Sequence, residues 1–225
     1  MLGESKRPMI YAGGGVINGG AAHAMRELAT GFGIPAVTTL MGIGALDTTH
    51  PLAMRMLGMH GTAFANYAVD DCDFLIALGA RFDDRVAGVP AKFAKSAKRI
   101  AHIDIDASEI NKVKVAHLPI VGDVAGFKRD FSGWHKHLAE LRRRHAMNYD
   151  RASPLIQPYY LIEEINRLTK GEAIITTGVG QHQMWAAQYF DFRHPRLWLT
   201  SGSMGTMGFG LPAAIGAQVA QRQRL

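Results

Sequence analysis

Short, largely apolar runs of strand length recur along this chain and alternate with helix-like stretches. They fall at residues 8–12, 36–40, 74–78, 100–105 and 119–121. A strand that is apolar throughout must be covered on both faces, and covering both faces with helices calls for parallel strands joined by crossovers. The expected fold class is therefore α/β, with a doubly wound, mostly parallel, Rossmann-like sheet. Residues 20–32 supply one crossover helix, with Ala24, Leu28 and Ala29 on a shared face. A further helix over about 124–145 places Phe127, Phe131, Trp134 and Leu138 at helical spacing and closes the unit.

The stretch 148–158 is polar and carries Pro154 and Pro158, which suits a linker. After it the pattern restarts with a helix over 159–168, a stop at Gly171, a strand over 173–177, a helix, a strand over 197–200, a glycine-rich loop and a helix opening near Pro212. Two domains are expected, 1–150 and 151–225, the second an incomplete α/β unit. No internal repeat is visible.

Composition excludes several classes. Apolar residues make up 48% and charged residues 20%, so a packed core is expected. The net charge of +6 gathers in runs such as 136–145 and 222–224 with no interleaved aromatics, which fits solvated surface and no nucleic-acid partner. The single Cys72 rules out an internal disulfide framework and suits a reducing compartment, the cytoplasm. No apolar run approaches the ~20 residues of a membrane span, and residues 1–8 hold no signal-peptide core.

Several segments carry chemistry, each with a purely structural alternative. Strand 8–12 runs into Gly13-Gly-Gly-Val-Ile-Asn-Gly-Gly20 and a helix, the order in which backbone N–H groups meet phosphate. Gly13 and Gly15 fit the dinucleotide fingerprint, Asn18 stands at its third glycine, and the acidic residue expected about 20 positions on is missing. A tight turn explains the run equally well. In Gly58-Met-His-Gly-Thr62, His60 is either a ligand contact or a hydrogen-bonded structural residue. Strand 74–78 ends in Gly79-Ala-Arg-Phe-Asp-Asp-Arg85, where α/β sheets bind ligands. Arg81 and Arg85 can hold phosphate, or pair with Asp83 and Asp84. Asp104 and Asp106 share one side of a strand and either accept from a ribose or cap the next helix. Val121-Gly-Asp123 ends the next strand. In the second unit, Gly180 with Gln181, His182 and Gln183 offers donors for a diphosphate. No CxxC, HExxH or EF-hand spacing signals a metal, and no Ser-His-Asp arrangement can be read.

Taken in order, 57–68, 81–86, 102–106, 120–123, 180–184 and Gly205-Thr-Met-Gly-Phe-Gly-Leu-Pro-Ala-Ala-Ile-Gly216 closely resemble the catalytic subunits of the acetohydroxyacid (acetolactate) synthase family, which are thiamine-diphosphate enzymes. The likeness covers nearly the whole chain. It implies that Gly13, Gly14, Gly15, Thr39, Leu40, Met41, Gly58, Met59, His60, Gly79, Arg81, Asp83, Arg85, Asp104, Ile105, Asp123 and Val124 line FAD. It implies that Val179, Gly180, Gln181 and His182 contact the thiamine diphosphate, with Gly205 and Met207 on its aminopyrimidine. Met59, Asp84 and Arg85 would edge a channel for 2-ketoacid substrates. The family's activating glutamate and its Gly-Asp-Gly…Asn ligands for Mg²⁺ have no counterpart here, so the chain alone is expected to be inactive. The resemblance further implies a homodimer or tetramer with a regulatory small subunit. Ser203 stands where the family has glycine, which would strain a positive φ. A non-catalytic FAD-binding module, or a sister thiamine enzyme such as glyoxylate carboligase or pyruvate oxidase, would show many of the same motifs.

Overall fold

The computed structural model describes residues 1–120 and 131–223. Six strands make one sheet: β1 Pro8–Ala12, β2 Ala36–Thr38, β3 Ala53–Met56, β4 Phe74–Leu78, β5 Arg99–Ile103 and β6 Leu118–Ile120. Their order is β3-β2-β1-β4-β5-β6 and every pairing is parallel. The chain builds outward from β1 to β3, returns across β1, and builds outward again from β4 to β6. Doubly wound topology of this kind leaves a crevice where the winding reverses, beyond the carboxyl ends of β1 and β4. These two central strands are buried at every residue, as an apolar run covered on both faces must be.

Helices occupy the crossovers. After β1 comes a five-residue turn of helix, α1 Gly14–Asn18, broken at Gly19 and Gly20 (φ 70°) before α2 Ala22–Phe32 begins. The buried face of α2 is Ala22, Met25, Ala29 and Phe32. The expected face is thus rotated: Ala29 belongs to it, while Leu28 and Ala24 are only partly buried. α3 Ala63–Asp71 connects β3 to β4, and α4 Asp84–Ala87 follows β4. α5 Ser132–Arg144 closes the unit. Its Trp134, Leu138 and Leu141 are buried, and the Trp134 indole N–H donates to the Pro8 carbonyl at 2.9 Å. Phe127 and the expected helix start at Val124 lie outside the described residues.

The second unit holds α6 Pro158–Thr169, β7 Ile175–Thr177, α7 Gln181–Tyr189, β8 Trp198–Thr200 and α8 Gly210–Ala220. β7 and β8 pair in parallel as a separate two-stranded sheet. A second apolar cluster joins this unit to the first: Phe190, Phe192, Leu197 and Trp198 pack with Ile43 and Met56. No residue of α8 is buried, and Leu211, Ile215 and Val219 stand exposed one helical turn apart. No helix among the described residues is long and apolar enough to cross a membrane.

Asp73, just before β4, ties the chain's beginning to the sheet. Its carboxylate accepts from the Ser5 hydroxyl and from the backbone N–H groups of Lys6 and Arg7, at 2.9 and 3.0 Å for the last two. Partial burial works against its charge, but these three bonds outweigh burial and hold its pKa below the usual carboxylate value. A carboxyl depressed on folding stabilises above its unfolded pKa, and that stability is lost as pH falls through the folded value. Asp73→Asn should therefore lower the unfolding free energy at pH 7 by about 1 kcal/mol, given the residue's partial exposure. The gap to wild type should narrow toward pH 3 in urea titrations, and a gap independent of pH would contradict the assignment.

Candidate functional site

The loops that follow β1 and β4 touch backbone to backbone. Gly13 N–H donates to Leu78 O at 2.9 Å and Gly15 N–H to Gly79 O at 3.0 Å. A Cβ on Gly13 would lie 2.1 Å from Gly79 O, and one on Gly15 would lie 2.7 Å from Gly79 Cα. Gly79 itself has φ 50°. The glycines are thus required by this contact between loops as well as by any ligand. The short α1 beyond them shows why Asn18 serves in place of a third glycine: the helix ends at that residue instead of running on against the sheet.

Over this junction lies a cleft of about 580 Å³ whose walls come from both units. Of the expected FAD residues, Gly13, Gly14, Gly15, Thr39, Leu40, Met41, Met59, His60, Gly79, Arg81, Asp83, Arg85 and Asp104 line it. Val179, Gly180 and Gly205 line it from the second unit. Gly58, Ile105, Asp84, Gln181, His182 and Met207 do not; Ile105 is 94% and Met207 81% exposed. Asp123 and Val124 lie outside the described residues. Asp106, weighed with Asp104 as a ribose acceptor or a helix cap, lines it too, and Met56, Glu109, Met184 and Ser201 join the lining without a sequence signal that marks them. Ser203 avoids the strained conformation; positive φ falls on Gly205 and Gly208 instead.

The Arg81 segment is held from below. Tyr11 on β1 donates its hydroxyl to Arg81 O at 2.8 Å, and His102 Nε2 on β5 lies 3.1 Å from Ala80 O. Both side chains are fully buried and flank Phe82. Burial first, then the charge of Asp83, pushes the Tyr11 hydroxyl far up, so it remains a donor. The segment's own charges are poorly matched to one another. Arg81 and Asp83 reach only 4.0 Å, with side chains 53% and 39% exposed, and Asp83 Oδ1 is buried without a partner among the described residues. Internal pairing therefore does not account for these charges: the guanidinium groups suit an anionic group of a ligand, and the orphaned Asp83 acceptor suits a hydrogen-bond donor such as a hydroxyl.

The neighbouring polar groups divide. Asn66 is occupied by the Gly58 turn: its Oδ1 accepts from Gly58 N–H at 2.8 Å and its Nδ2 donates to Gly58 O at 3.0 Å. Thr62 caps α3. His60, whose carbonyl accepts from Gln188 Nε2 at 2.7 Å, lines the cleft. Asp104 and Asp106 accept from the N–H groups of Asp106 and Ser108, at 3.0 and 2.9 Å, and so cap a turn while lining the cleft. The Ser108 hydroxyl and N–H lower the Asp106 pKa. In the second unit Gln183 is buried and donates to Thr200 Oγ1 at 2.7 Å, which in turn meets Thr177 Oγ1 at 2.7 Å. Gln183 thus sits in the cleft wall, while the neighbouring Gln181 and His182 are exposed.

Residues 1–130 match the thiamine pyrophosphate enzyme central domain, and residues 178–225 match the C-terminal TPP binding domain of the same enzymes. The chain is 49% identical over 97% of its length to acetolactate synthase 1, chloroplastic, of Nicotiana tabacum, and spans 35% of that protein. It is 50% identical over 98% of its length to acetolactate synthase 2, chloroplastic, of Zea mays, and spans 36% of it. The chain therefore covers about a third of these relatives.

Tyr11→Phe leaves the partly buried Arg81 carbonyl without the hydroxyl that donates to it. It should lower the unfolding free energy by about 1–2 kcal/mol and speed tryptic cleavage after Arg81. Cleavage at the wild-type rate would show that the hydroxyl does not hold the loop.

Proposed function

The chain belongs to the thiamine pyrophosphate enzymes, and on that premise we propose that it is the flavin-holding and diphosphate-side segment of an acetolactate synthase. The reaction of the whole enzyme would join two pyruvates, or pyruvate and 2-ketobutyrate, with loss of CO₂, on the route to valine, leucine and isoleucine. The observation that carries the proposal is the cleft at the winding reversal. Gly13, Gly15 and Gly79 pack there without room for a Cβ, and Arg81, Asp83 and Arg85 line a common space.

The donor set fits FAD. Arg81 and Arg85 would meet its diphosphate, and Asp83, Asp104 and Asp106 would accept from ribityl and ribose hydroxyls. Residues 1–150 would form the flavin unit, with a structural rather than a redox cofactor. Residues 151–225 would begin the thiamine unit, where the mainly apolar wall of Val179 and Met184, with Gly180, Gln183 and Gly205, faces the same cleft. When bound, thiamine diphosphate supplies the electron sink for decarboxylation; the residues here would orient it and exclude water. Met59 and Arg85 would edge the approach of the 2-ketoacid. Among the described residues no group of three or more His, Cys, Asp or Glu side chains could hold a metal ion. Mg²⁺ is commonly held by one or two carboxylates together with the phosphates it bridges, and the residues described here are given no part in holding it. The proposal carries with it a homo-oligomer with a regulatory small subunit, in a reducing compartment: the cytoplasm, or the chloroplast of the relatives' names.

Two measurements test it. Wild-type chain should quench flavin fluorescence on titration with FAD, and Arg81→Ala should weaken that binding by about tenfold, as loss of a charge-assisted bond requires. Equal affinity would remove Arg81 from the site. Exchanging this segment into Zea mays acetolactate synthase 2 should preserve acetolactate formation from pyruvate. A folded, flavin-loaded chimera without turnover would instead favour the non-catalytic flavin module.

A further inference from the structure

β3 holds one residue too many for its neighbour. Ala36 pairs with Ala53 and Thr38 with Met56, so one residue of β2 faces two of β3, Met54 and Arg55. Arg55 absorbs the excess at φ 61°, a conformation that glycine takes freely and arginine does not. Such a bulge re-aims the side chain it carries. Here the guanidinium leaves the sheet and enters the second unit. Nη1 donates to Gln188 O at 3.0 Å and Phe190 O at 3.4 Å, and Nη2 donates to Asp191 Oδ1 at 2.6 Å. These acceptors lie at the end of α7, where carbonyls lack helical partners and a cation is favoured.

The clasp is enclosed and braced. The Arg55 and Asp191 side chains are 19% and 24% exposed. Asp191 Oδ2 accepts from Asn166 Nδ2 at 3.0 Å, and Asp191 N–H donates to Asn166 Oδ1 at 3.3 Å, which fixes the carboxylate from α6. Arg142 on α5, whose guanidinium donates to Ala53 O, adds a like charge on the sheet side. Among the described residues, Asp191 is the carboxylate that answers Arg55. Arg55 does not line the cleft, yet it connects its two walls. Met56 and Leu57 follow it directly into the lining, and Gln183 and Met184 line the opposite side from α7.

We propose that Arg55 is a positioning residue: its strained bulge holds the end of α7 against β3 and so sets the separation of the two walls of the cleft. The strain is retained because only a side chain leaving the sheet in this direction reaches α7. Glycine would relieve the backbone and lose the reach.

Spin labels on exposed Thr30→Cys and Leu168→Cys report the separation, since Cys72 is fully buried. Wild type should give one narrow distance distribution by double electron–electron resonance, and Arg55→Gln should broaden it. An unchanged narrow distribution overturns the proposal. Arg55→Gly separates positioning from stability: the urea midpoint should hold or rise while the distribution broadens. A fallen midpoint with a narrow distribution would make Arg55 merely structural and overturn the proposal. If Arg55→Gln does not fold, Asp191→Asn cuts the same clasp from the other side and should broaden the distribution too. A further arm rests on the flavin reading of the cleft: Arg55→Gln should bind FAD about tenfold more weakly through lost preorganisation, with Arg55→Lys between it and wild type. Wild type that binds no FAD would refute the flavin reading alone, and the distance distributions would still decide the clasp.

Discussion

Two glycine loops that cannot be separated by even one methyl group govern this structure. Where the winding reverses between β1 and β4, Gly13, Gly15 and Gly79 interlock through their backbones. The first unit's wall of the cleft takes its position from that contact. The β1 loop delivers Gly14 and Asn18 to one side, and the β4 loop delivers Arg81 and Asp83 to the other. Tyr11 and His102 then secure the β4 loop from beneath, each through one carbonyl. The charged side chains of the β4 loop thus stand on a fixed backbone frame, and a ligand bound there would not have to order that backbone at the moment of binding.

The second unit shares its core with the first: Ala186, Ala187, Phe190, Phe192, Leu197 and Trp198 form one buried cluster with Ile43 and Met56 of the first unit. Thr48 and Phe192 exchange hydrogen bonds across the same seam, with Phe192 N–H donating to Thr48 Oγ1 at 2.8 Å. A linker at 148–158 therefore does not make two independent bodies. The cleft is a seam between them, and its chemistry belongs to both.

Much of this could be read from residues alone, for identifiable reasons. β1 and β4 have the expected bounds because an unbroken apolar run has no other way to be buried in a parallel sheet. β3 is hidden in the sequence because Ala53-Met-Arg-Met56 is short and has a charge at its centre, and that charge marks the bulge. Gly13, Arg81 and Asp83 are legible as a site because glycine turns and charges just past apolar strands follow the topology. The opposite wall is not. Gln181, His182 and Gln183 look alike as donors, and only the start of α7 at Gln181 decides that Gln183 turns inward. Met207, expected on the thiamine aminopyrimidine, stands 81% exposed on the glycine loop, outside the lining of the cleft.

The methionines divide along the same lines. Met9 and Met54 are sealed in the core, whereas Met41 and Met59, 43% and 69% exposed, stand on the rim of the cleft. A thioether converted to sulfoxide becomes polar and chiral. Peroxide would therefore reach Met41 and Met59, with Met204 and Met207 on the exposed glycine loop, long before the sulfurs that hold the fold. Under oxidative stress this protein would turn polar first along its rim and its outer loop, while the sealed sheet kept its shape.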